Sequence, residues 1–308
     1  MRVLITGGAG YIGSVLTKTL LPKHEVTVLD IQRYGRENLL HLCDQENLTF
    51  IKGDVLNHDT LDLLLDEADA IIPLAAYVGA EICDANYDDA TRVNKETIEY
   101  IASRKKPEQK LIYPNTNSGY GTQTGEFYCT EETPLEPITH YGRTKAAGEK
   151  AVMTTDSITL RLATVFGCSP RMRLDLLVND FVRRAYFNRG VDIFEPHFMR
   201  NYVHIQDVAD CFAYCLDNYD SMKGEVYNLG NDSINMSKLD MALKVKERIP
   251  SFRITTDDTR EDPDKRNYIV SSKKLWGKGF MASRGLDLGI TQLMKAYSML
   301  GDKDCNYL

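Results

Sequence analysis

The sequence predicts an α/β protein, with a doubly wound parallel sheet of the Rossmann type and a smaller interleaved C-terminal lobe. Short apolar strands alternate with helical patterns through the first half of the chain, and a glycine loop joins the first strand to the first helix. Beyond residue 163 the alternation becomes irregular. We therefore expect a dinucleotide-binding domain at residues 1–163, to which residues 200–230 return, and a substrate-binding lobe at residues 164–199 and 231–308.

The glycine loop lies within the first thirteen residues. An apolar run at residues 2–5 is followed by Gly7, Gly10 and Gly13, and a helical spacing of apolar residues begins at Ser14. This spacing lets the backbone turn sharply and approach a pyrophosphate, while the helix N-terminus offers free N–H groups to the anion. A turn that binds nothing is the structural alternative, but the strand, loop and helix in register favour a dinucleotide site.

An acid, Asp30, ends the second predicted strand. It could accept hydrogen bonds from the adenosine ribose and would repel the 2′-phosphate of NADP, so NAD is favoured. Arg33 and Arg36 follow closely and could hold a phosphate, which leaves NADP open. After a third strand at residues 48–51, Asp54 could contact the adenine amino group, or it could serve only as a turn or helix-capping residue.

The remaining predicted elements continue the alternation. Small residues after the fourth strand would let a dinucleotide lie against the backbone, and the segment between residues 31 and 48 is expected to be a helix with loops. The predicted strands lie at residues 70–76, 110–113, 157–163, 200–205 and 225–230, and the predicted helices at residues 60–66, 84–103, 140–152, 176–188, 206–216 and 290–300.

Composition restricts the classes of function. The chain has 308 residues, a net charge of −7 and no long basic run, which argues against nucleic-acid binding. No segment approaches the roughly 20 apolar residues that span a bilayer, and the first strand begins at residue 2, so we expect a cytoplasmic protein. The seven cysteines form no CxxC pair, so we expect free thiols and no metal site, with Cys211 and Cys215 packed in the core.

Three residues could form a proton-transfer site: Thr116, Tyr141 and Lys145. Tyr141 and Lys145 are four residues apart on a predicted helix and therefore share one face. A free tyrosine has a pKa near ~10, but a nearby ammonium and an oxidised nicotinamide would favour its phenolate. That phenolate could take the proton of a sugar hydroxyl that Thr116 positions. A surface pair is the structural alternative, and the upstream glycine loop favours catalysis.

Taken together, these motifs resemble those of the extended short-chain dehydrogenase/reductases, the NAD-dependent epimerase/dehydratase type, over nearly the whole chain. The resemblance implies bound NAD(P), a nucleotide-sugar substrate and a homodimer formed by the helices around residues 87–103 and 141–153. The matching elements are residues 6–13, Asp30, Gly53-Asp54, residues 74–76, Thr116 with Tyr120-Gly121, Tyr141-x-x-x-Lys145, and residues 200–204.

The resemblance also implies roles for individual residues, and it assigns none of them to a metal. Catalysis is assigned to Thr116, Tyr141 and Lys145. Cofactor contacts are assigned to Gly7, Gly10, Tyr11, Ile12, Gly13, Asp30, Ile31, Asp54, Val55, Leu74, Ala75, Ala76, Tyr141 and Lys145. Substrate contacts are assigned to Thr116, Asn117, Thr164, Asn179, Arg200 and Arg266. Arg200 would bind the diphosphate, because a guanidinium suits bidentate contact with phosphate.

The residues that follow Thr116 narrow the reaction within this family. Asn117 and Ser118 stand where the 4,6-dehydratases carry the Asp-Glu pair that removes water, and neither can act as that acid or base. The Glu of the decarboxylases and the Cys of the 3,5-epimerases are also absent from this loop. The resemblance then implies simple oxidation, with or without reduction from the other face.

The sequence is further similar to the bacterial enzymes that oxidise C4 of GDP-D-glycero-α-D-manno-heptose in capsule polysaccharide biosynthesis. This similarity implies a 4-keto product from a GDP-linked sugar. A UDP- or GDP-hexose 4-epimerase needs the same catalytic residues and is the alternative. A non-catalytic NAD-binding regulator is disfavoured, because such proteins typically lose the tyrosine or the lysine. The stretches that carry the similarity are residues 72–76, 113–121, 161–167, 169–181 and 261–266.

Overall fold

The computed structural model describes residues 1–122, 128–257 and 267–301. The strands in this part of the chain are β1 (Arg2–Thr6), β2 (Glu25–Asp30), β3 (Leu48–Lys52), β4 (Ala70–Pro73), β5 (Lys110–Thr116), β6 (Tyr128–Cys129), β7 (Ile158–Leu162), β8 (Thr164–Phe166), β9 (Val191–Phe194), β10 (Met199–His204), β11 (Glu225–Leu229), β12 (Asn231–Ser237), β13 (Ile254–Asp257) and β14 (Ile269–Val270). Seven of them form one parallel sheet in the order β3-β2-β1-β4-β5-β7-β11, which confirms the predicted fold class. The strand order reverses between β1 and β4, and ligands of such sheets bind at that point.

The helices connect and flank these strands. They are α1 (Tyr11–Leu20), α2 (His58–Glu67), α3 (Ala80–Ala85), α4 (Tyr87–Thr91), α5 (Thr97–Arg104), α6 (His140–Val152), α7 (Leu177–Tyr186), α8 (Ile205–Asp217), α9 (Tyr219–Met222), α10 (Lys238–Arg248), α11 (Lys273–Gly277) and α12 (Leu286–Leu300). A π-helical turn at Arg92–Glu96 joins α4 to α5, and 3₁₀ turns lie at Leu40–Leu42 and Asn117–Tyr120.

Helices cover both faces of the seven-stranded sheet. On one face α1 packs against α8, and Leu16 and Phe212 from these helices are fully buried. On the other face Leu61 of α2 and Ile101 of α5 are fully buried. Strands that are buried on both faces read as continuous apolar runs, which is why the sequence located them well.

A second apolar core lies in the C-terminal part of the chain. Val182 of α7, Met241 of α10 and Ile290 of α12 are fully buried in it. Beside them β8, β10 and β12 form a separate three-stranded sheet. Of the segment expected to return to the first domain, α8 and β11 lie on the large sheet, whereas β10 lies in this smaller one. The domain boundaries themselves stay a prediction.

Two predicted helices differ from the structure for reasons of backbone geometry. Between residues 31 and 48 only the short 3₁₀ turn forms, because Gln32 and Gly35 adopt positive φ angles of 58° and 111°, which a right-handed helix cannot contain. The helix expected at residues 84–103 is broken at Asn86 (φ −130°, ψ 51°). The strand expected at residues 70–76 ends at Pro73.

Several strands and one helix of the second lobe were not predicted from the sequence. β8 and β9 are only three and four residues long, too short for an apolar period to identify a strand, and β12 is mostly polar. The sequence signal for α10 is its capping box, which Ser237 and Asp240 form at the start of the helix.

The described residues also show the hydropathy of the helices and the state of the cysteines. Among the described helices, none has both the length and the hydropathy that crossing a bilayer requires. The cysteines at positions 43, 83, 129, 168, 211 and 215 are free. Cys211 and Cys215 are fully buried among apolar residues, which confirms their predicted core packing. Cys305 lies outside the described residues.

Candidate cofactor and active site

The glycine loop between β1 and α1 is closely packed against the strand beside it. Gly7 has a φ of 73°, and a Cβ on it would lie 2.5 Å from the backbone nitrogen of Ala75. A Cβ on Gly13 would lie 2.2 Å from the carbonyl oxygen of Gly7. Only glycine fits at both positions, so the backbone of the loop lies bare at the start of α1. This arrangement fits a pyrophosphate bound at a helix N-terminus.

A cleft of about 470 Å³ lies over this loop. A dinucleotide needs an elongated site at the carboxyl ends of the strands, and this cleft follows the ends of β1, β2 and β4. The individual contacts with the cofactor stay predictions, which the position of the predicted residues in the cleft supports. The predicted residues that line the cleft are Gly7, Gly10, Tyr11, Ile12, Gly13, Asp30, Ile31, Asp54, Val55, Leu74, Ala75 and Ala76.

The two acids predicted to contact the cofactor, Asp30 and Asp54, are held by backbone groups. Oδ2 of Asp30 accepts a hydrogen bond from the N–H of Ala9 (2.9 Å), and its Oδ1 accepts one from the N–H of Gln32 (2.7 Å). A carboxylate has further lone pairs, which remain for ribose hydroxyls. Oδ1 of Asp54 accepts from the N–H two residues further on (3.0 Å), whereas Asn57 caps α2. Of the two structural alternatives for Asp54, the turn is therefore the one that forms.

The three predicted catalytic residues come from two neighbouring elements. Thr116 is the last residue of β5, and its Oγ1 accepts a hydrogen bond from the N–H of Ser118 (3.1 Å). Tyr141 and Lys145 lie on the first two turns of α6. A Cβ on Gly142 would lie 3.5 Å from the carbonyl oxygen of Ser118. The first turn of α6 and the loop after Thr116 are therefore in contact.

Burial dominates the electrostatics of Lys145. The residue is 4% exposed, and its Nζ lies 4.1 Å from the centroid of the Tyr113 ring. Burial lowers the pKa of Lys145 to about 7, against smaller opposing effects of Cys83 and Glu149. Burial, and then the nearby Tyr141, raise the pKa of Tyr113 well above its usual value. Tyr113 therefore stays neutral, and the role of Tyr141 in proton transfer stays a prediction.

A buried ion pair that the sequence analysis missed fixes α6 on the sheet. Arg161 donates from Nη2 to Oε1 of Glu149 (2.7 Å) and from Nε to Oε2 (3.0 Å). Asn115 donates from Nδ2 to Oε2 of Glu149 (2.6 Å), and its Oδ1 accepts from the N–H of Thr116 (2.8 Å). Nη1 of Arg161 donates to the hydroxyl of Tyr120 (2.9 Å). The available signal was spacing, because the glutamate follows the predicted lysine by four residues on the same helical face.

Asn117 is a buried amide beside Thr116. It is 1% exposed, and within the described part of the chain neither its Nδ2 nor its Oδ1 has a hydrogen-bond partner. Leaving a buried polar group unpaired costs about 1–3 kcal/mol. A ligand that supplies a donor and an acceptor would remove this cost, which supports the predicted substrate contact.

The other predicted substrate residues lie outside the lining of the dinucleotide cleft. Thr164 begins β8, and Arg200 lies on the adjacent strand β10. Arg200 is 3% exposed, and its guanidinium lies 5.9 Å from the centroid of the Tyr268 ring. Arg266 falls outside the described residues. The roles of these residues in binding substrate stay predictions.

Asn179 is fully buried and bonded within the protein. Its Oδ1 accepts from the N–H of Gly167 (3.0 Å), and its Nδ2 donates to the carbonyl of Arg173 (2.8 Å) and to the hydroxyl of Tyr11 (3.2 Å). These partners use the donors and acceptors of the amide, so the structure favours a positioning role for Asn179. Its predicted contact with substrate has no support in this geometry.

Comparison with known proteins identifies the kind of enzyme. A family model described as the NAD dependent epimerase/dehydratase family matches residues 3–230. This match confirms the predicted enzymatic character and the NAD cofactor. The glycine loop and the cleft fit that cofactor.

Individual relatives match three quarters or more of the chain. The low-salt glycan biosynthesis protein Agl12 of Haloferax volcanii is 28% identical over 99% of this chain and 100% of that protein. The uncharacterized UDP-glucose epimerase YtcB of Bacillus subtilis is 29% identical over 75% of this chain and 77% of its own. The crystal structure of UDP-glucuronic acid 4-epimerase from Bacillus cereus, in complex with UDP-glucuronic acid and NAD, shares the fold with a TM-score of 0.87 at 24% identity, covering 98% of this chain and 100% of that one.

We predict that Gly13→Ala removes bound NAD. The new Cβ would lie 2.2 Å from the carbonyl oxygen of Gly7, so the loop must shift away from the position that receives the pyrophosphate. The NAD content of the purified protein, released and measured by mass spectrometry, checks this. Gly277→Ala is the matched control, because a Cβ there meets no atom of the described residues within 4 Å. A folded Gly13→Ala protein with the NAD content of the unchanged protein would contradict the prediction.

We also predict a pH-dependent effect of Lys145→Met on the stability of the cofactor-free protein. The folded state lowers the lysine pKa from 10.5 to about 7, so the unfolded state binds more protons between these values. The cost of burying the ammonium is therefore full below about pH 7 and fades as the pH rises toward about 10. The variant should unfold with a higher free energy than the unchanged protein near neutral pH, and chemical denaturation should show that this advantage shrinks as the pH is raised. An advantage that does not change with pH would refute the assignment.

Proposed function

Because this chain belongs to the NAD dependent epimerase/dehydratase family, we propose that it inverts C4 of a nucleotide sugar by transient oxidation of that carbon. The observation that carries the proposal is the contact of α6 with the end of β5, which brings Tyr141 and Lys145 to the loop of Thr116. The activities for which two relatives are named, UDP-glucose epimerase and UDP-glucuronic acid 4-epimerase, support epimerisation over net oxidation.

The proposed chemistry is proton transfer at the sugar 4-hydroxyl. Thr116 donates a hydrogen bond to that hydroxyl, and the phenolate of Tyr141 takes its proton. When bound, NAD supplies the acceptor for the hydrogen that leaves C4. Lys145 favours the phenolate while its ammonium is charged, and ribose hydroxyls next to the ammonium would stabilise that charge.

The loop after Thr116 argues against dehydration. A 4,6-dehydratase needs an acid and a base at this place, and Asn117 and Ser118 carry no carboxyl group. The unpaired amide of Asn117 can instead donate and accept hydrogen bonds with the sugar. The side chains of Asn117 and Ser118 can therefore bind a 4-keto sugar through hydrogen bonds but cannot remove water from it.

A C4 dehydrogenase acting on GDP-manno-heptose is the second candidate. The similarity in residues 169–181 favours it, because this segment lies in the second lobe and a shared dinucleotide fold alone does not require it. Both candidates use the same three catalytic residues. They differ in whether the oxidised sugar is reduced again before it leaves.

We retain the homodimer as part of the proposal. The helices expected at its interface are α4, α5 and α6, which pack on one another in the structure. Outward positions on α5 and the preceding π turn are charged, with Arg92, Glu96 and Glu99 exposed. Such a face suits a dimer stabilised by ion pairs, and sedimentation at low and high salt would measure its formation.

We predict that incubation with UDP-glucose or UDP-glucuronic acid gives the C4-inverted sugar, with no net reduction of NAD. The product made in heavy water should carry no deuterium at C4, because the hydrogen returned there is the one that was removed. Mass spectrometry and NMR of the product check both points. A 4-keto sugar formed from GDP-manno-heptose, with accumulation of reduced nicotinamide, would move the assignment to the dehydrogenase. Absence of turnover with all three sugars would contradict both.

We predict that Tyr141→Phe lowers kcat by roughly 100- to 10,000-fold, the usual contribution of a positioned acid–base group. The NAD content should stay unchanged, because the aromatic ring is kept. Tyr100→Phe is the matched control, since that hydroxyl only donates a hydrogen bond to Asp62 on the outer helices. Equal activity of the two variants would exclude Tyr141 as the base.

A further inference from the structure

The segment between β8 and α7, residues 167–175, connects the second lobe to the glycine loop, and we call it the strap. The hydroxyl of Tyr11 donates to the carbonyl of Gly167 (2.8 Å). Oγ of Ser169 donates to the carbonyl of Tyr11 (2.7 Å) and shares a hydrogen bond with Oγ of Ser14 (2.9 Å). All four residues are buried. The strap is therefore held at the first turns of α1, where the cleft receives the cofactor.

Arg171 of the strap is a buried cation that forms no ion pair with any residue that the structure describes. It is 7% exposed and lines the same cleft as the glycine loop. Its guanidinium lies 4.3 Å from the centroid of the Tyr34 ring and donates from Nη1 to the carbonyl of Met172 (3.0 Å). No carboxylate of the described residues lies within 4.0 Å of it, whereas the neighbouring Arg173 is paired with Asp175.

A buried charge without a partner is costly, and burial accordingly lowers the pKa of Arg171. The anion that would remove this cost must come from a ligand in the cleft. We propose that Arg171 binds the pyrophosphate of the dinucleotide cofactor, together with the N–H groups of the glycine loop. A guanidinium suits this contact because it donates two parallel hydrogen bonds to phosphate oxygens.

The position of Arg171 favours the cofactor pyrophosphate over two other phosphate groups. The diphosphate of a nucleotide sugar is assigned to the side of Arg200, which is not part of the cleft lining. A ribose 2′-phosphate would have to lie beside the carboxylate of Asp30, which repels it. Arg171 thus connects the second lobe to the cofactor. This contact does not depend on which sugar the enzyme converts.

Binding of an ordered ligand series to cofactor-stripped protein tests this proposal. Isothermal titration would compare adenosine, ADP, ADP-ribose, NAD and NADP on the unchanged protein, Arg171→Met and Arg171→Lys. Arg184→Met is the matched control, because that arginine lies on α7, is 40% exposed and pairs with Asp180 away from the cleft. We expect Arg171→Met to weaken ADP, ADP-ribose and NAD about 10- to 100-fold, the usual effect of charged hydrogen bonds, and to leave adenosine unchanged. Arg171→Lys should keep part of the affinity.

The unfolding of the cofactor-stripped variants separates binding from a structural role. Removal of an unpaired buried charge should leave Arg171→Met at least as stable as the unchanged protein. Equal affinity of Arg171→Met and the unchanged protein for ADP-ribose would overturn the proposal. The proposal would also be overturned if Arg171→Met weakened the affinity for adenosine as much as that for ADP-ribose, or if it weakened only the affinity for NADP.

Discussion

A buried ion pair between Arg161 and Glu149 sets the geometry on which the candidate active site depends. Both side chains are more than nine-tenths buried, so neither charge has water as an alternative partner. Removal of one member of such a pair leaves an uncompensated charge and typically costs about 3–5 kcal/mol. Because Glu149 lies on α6 and Arg161 on β7, the pair fixes the helix that carries Tyr141 to the sheet that carries Thr116.

The second constraint is the contact between the two lobes at the N-terminus of α1. Tyr11 follows the glycine loop directly, and its hydroxyl contacts both Gly167 and Asn179 of the other lobe. Burial raises the pKa of Tyr11, so this hydroxyl stays protonated and keeps donating. The glycine-loop end of α1 and the segment that leads into the second lobe are therefore one hydrogen-bonded unit.

The sequence predicted those features whose cause is local. Gly7 and Gly13 had to be glycine because the backbone approaches itself there, and the spacing alone indicates this. Tyr141 and Lys145 share a helical face for the same kind of reason. The spacing of Glu149 places it on the helical face of Lys145, but its pairing with Arg161 and the position of Arg171 in the cleft depend on residues from other elements. The substrate contact of Asn179 stays a prediction, since a helical pattern does not tell which polar residue points into the core, as Asn179 does.

The topology of the large sheet has a consequence for synthesis of the protein. Its edge strand β11 (Glu225–Leu229) pairs with β7, although the strands β8 to β10 and the helices α7 to α9 lie between them in the chain. The ribosome must therefore have made about three quarters of the 308 residues before the nucleotide-binding sheet can be complete. Until then β7 has an unpaired edge, which is a surface for mispairing with other chains. The nascent first domain is accordingly a natural client for chaperones that shield exposed strands.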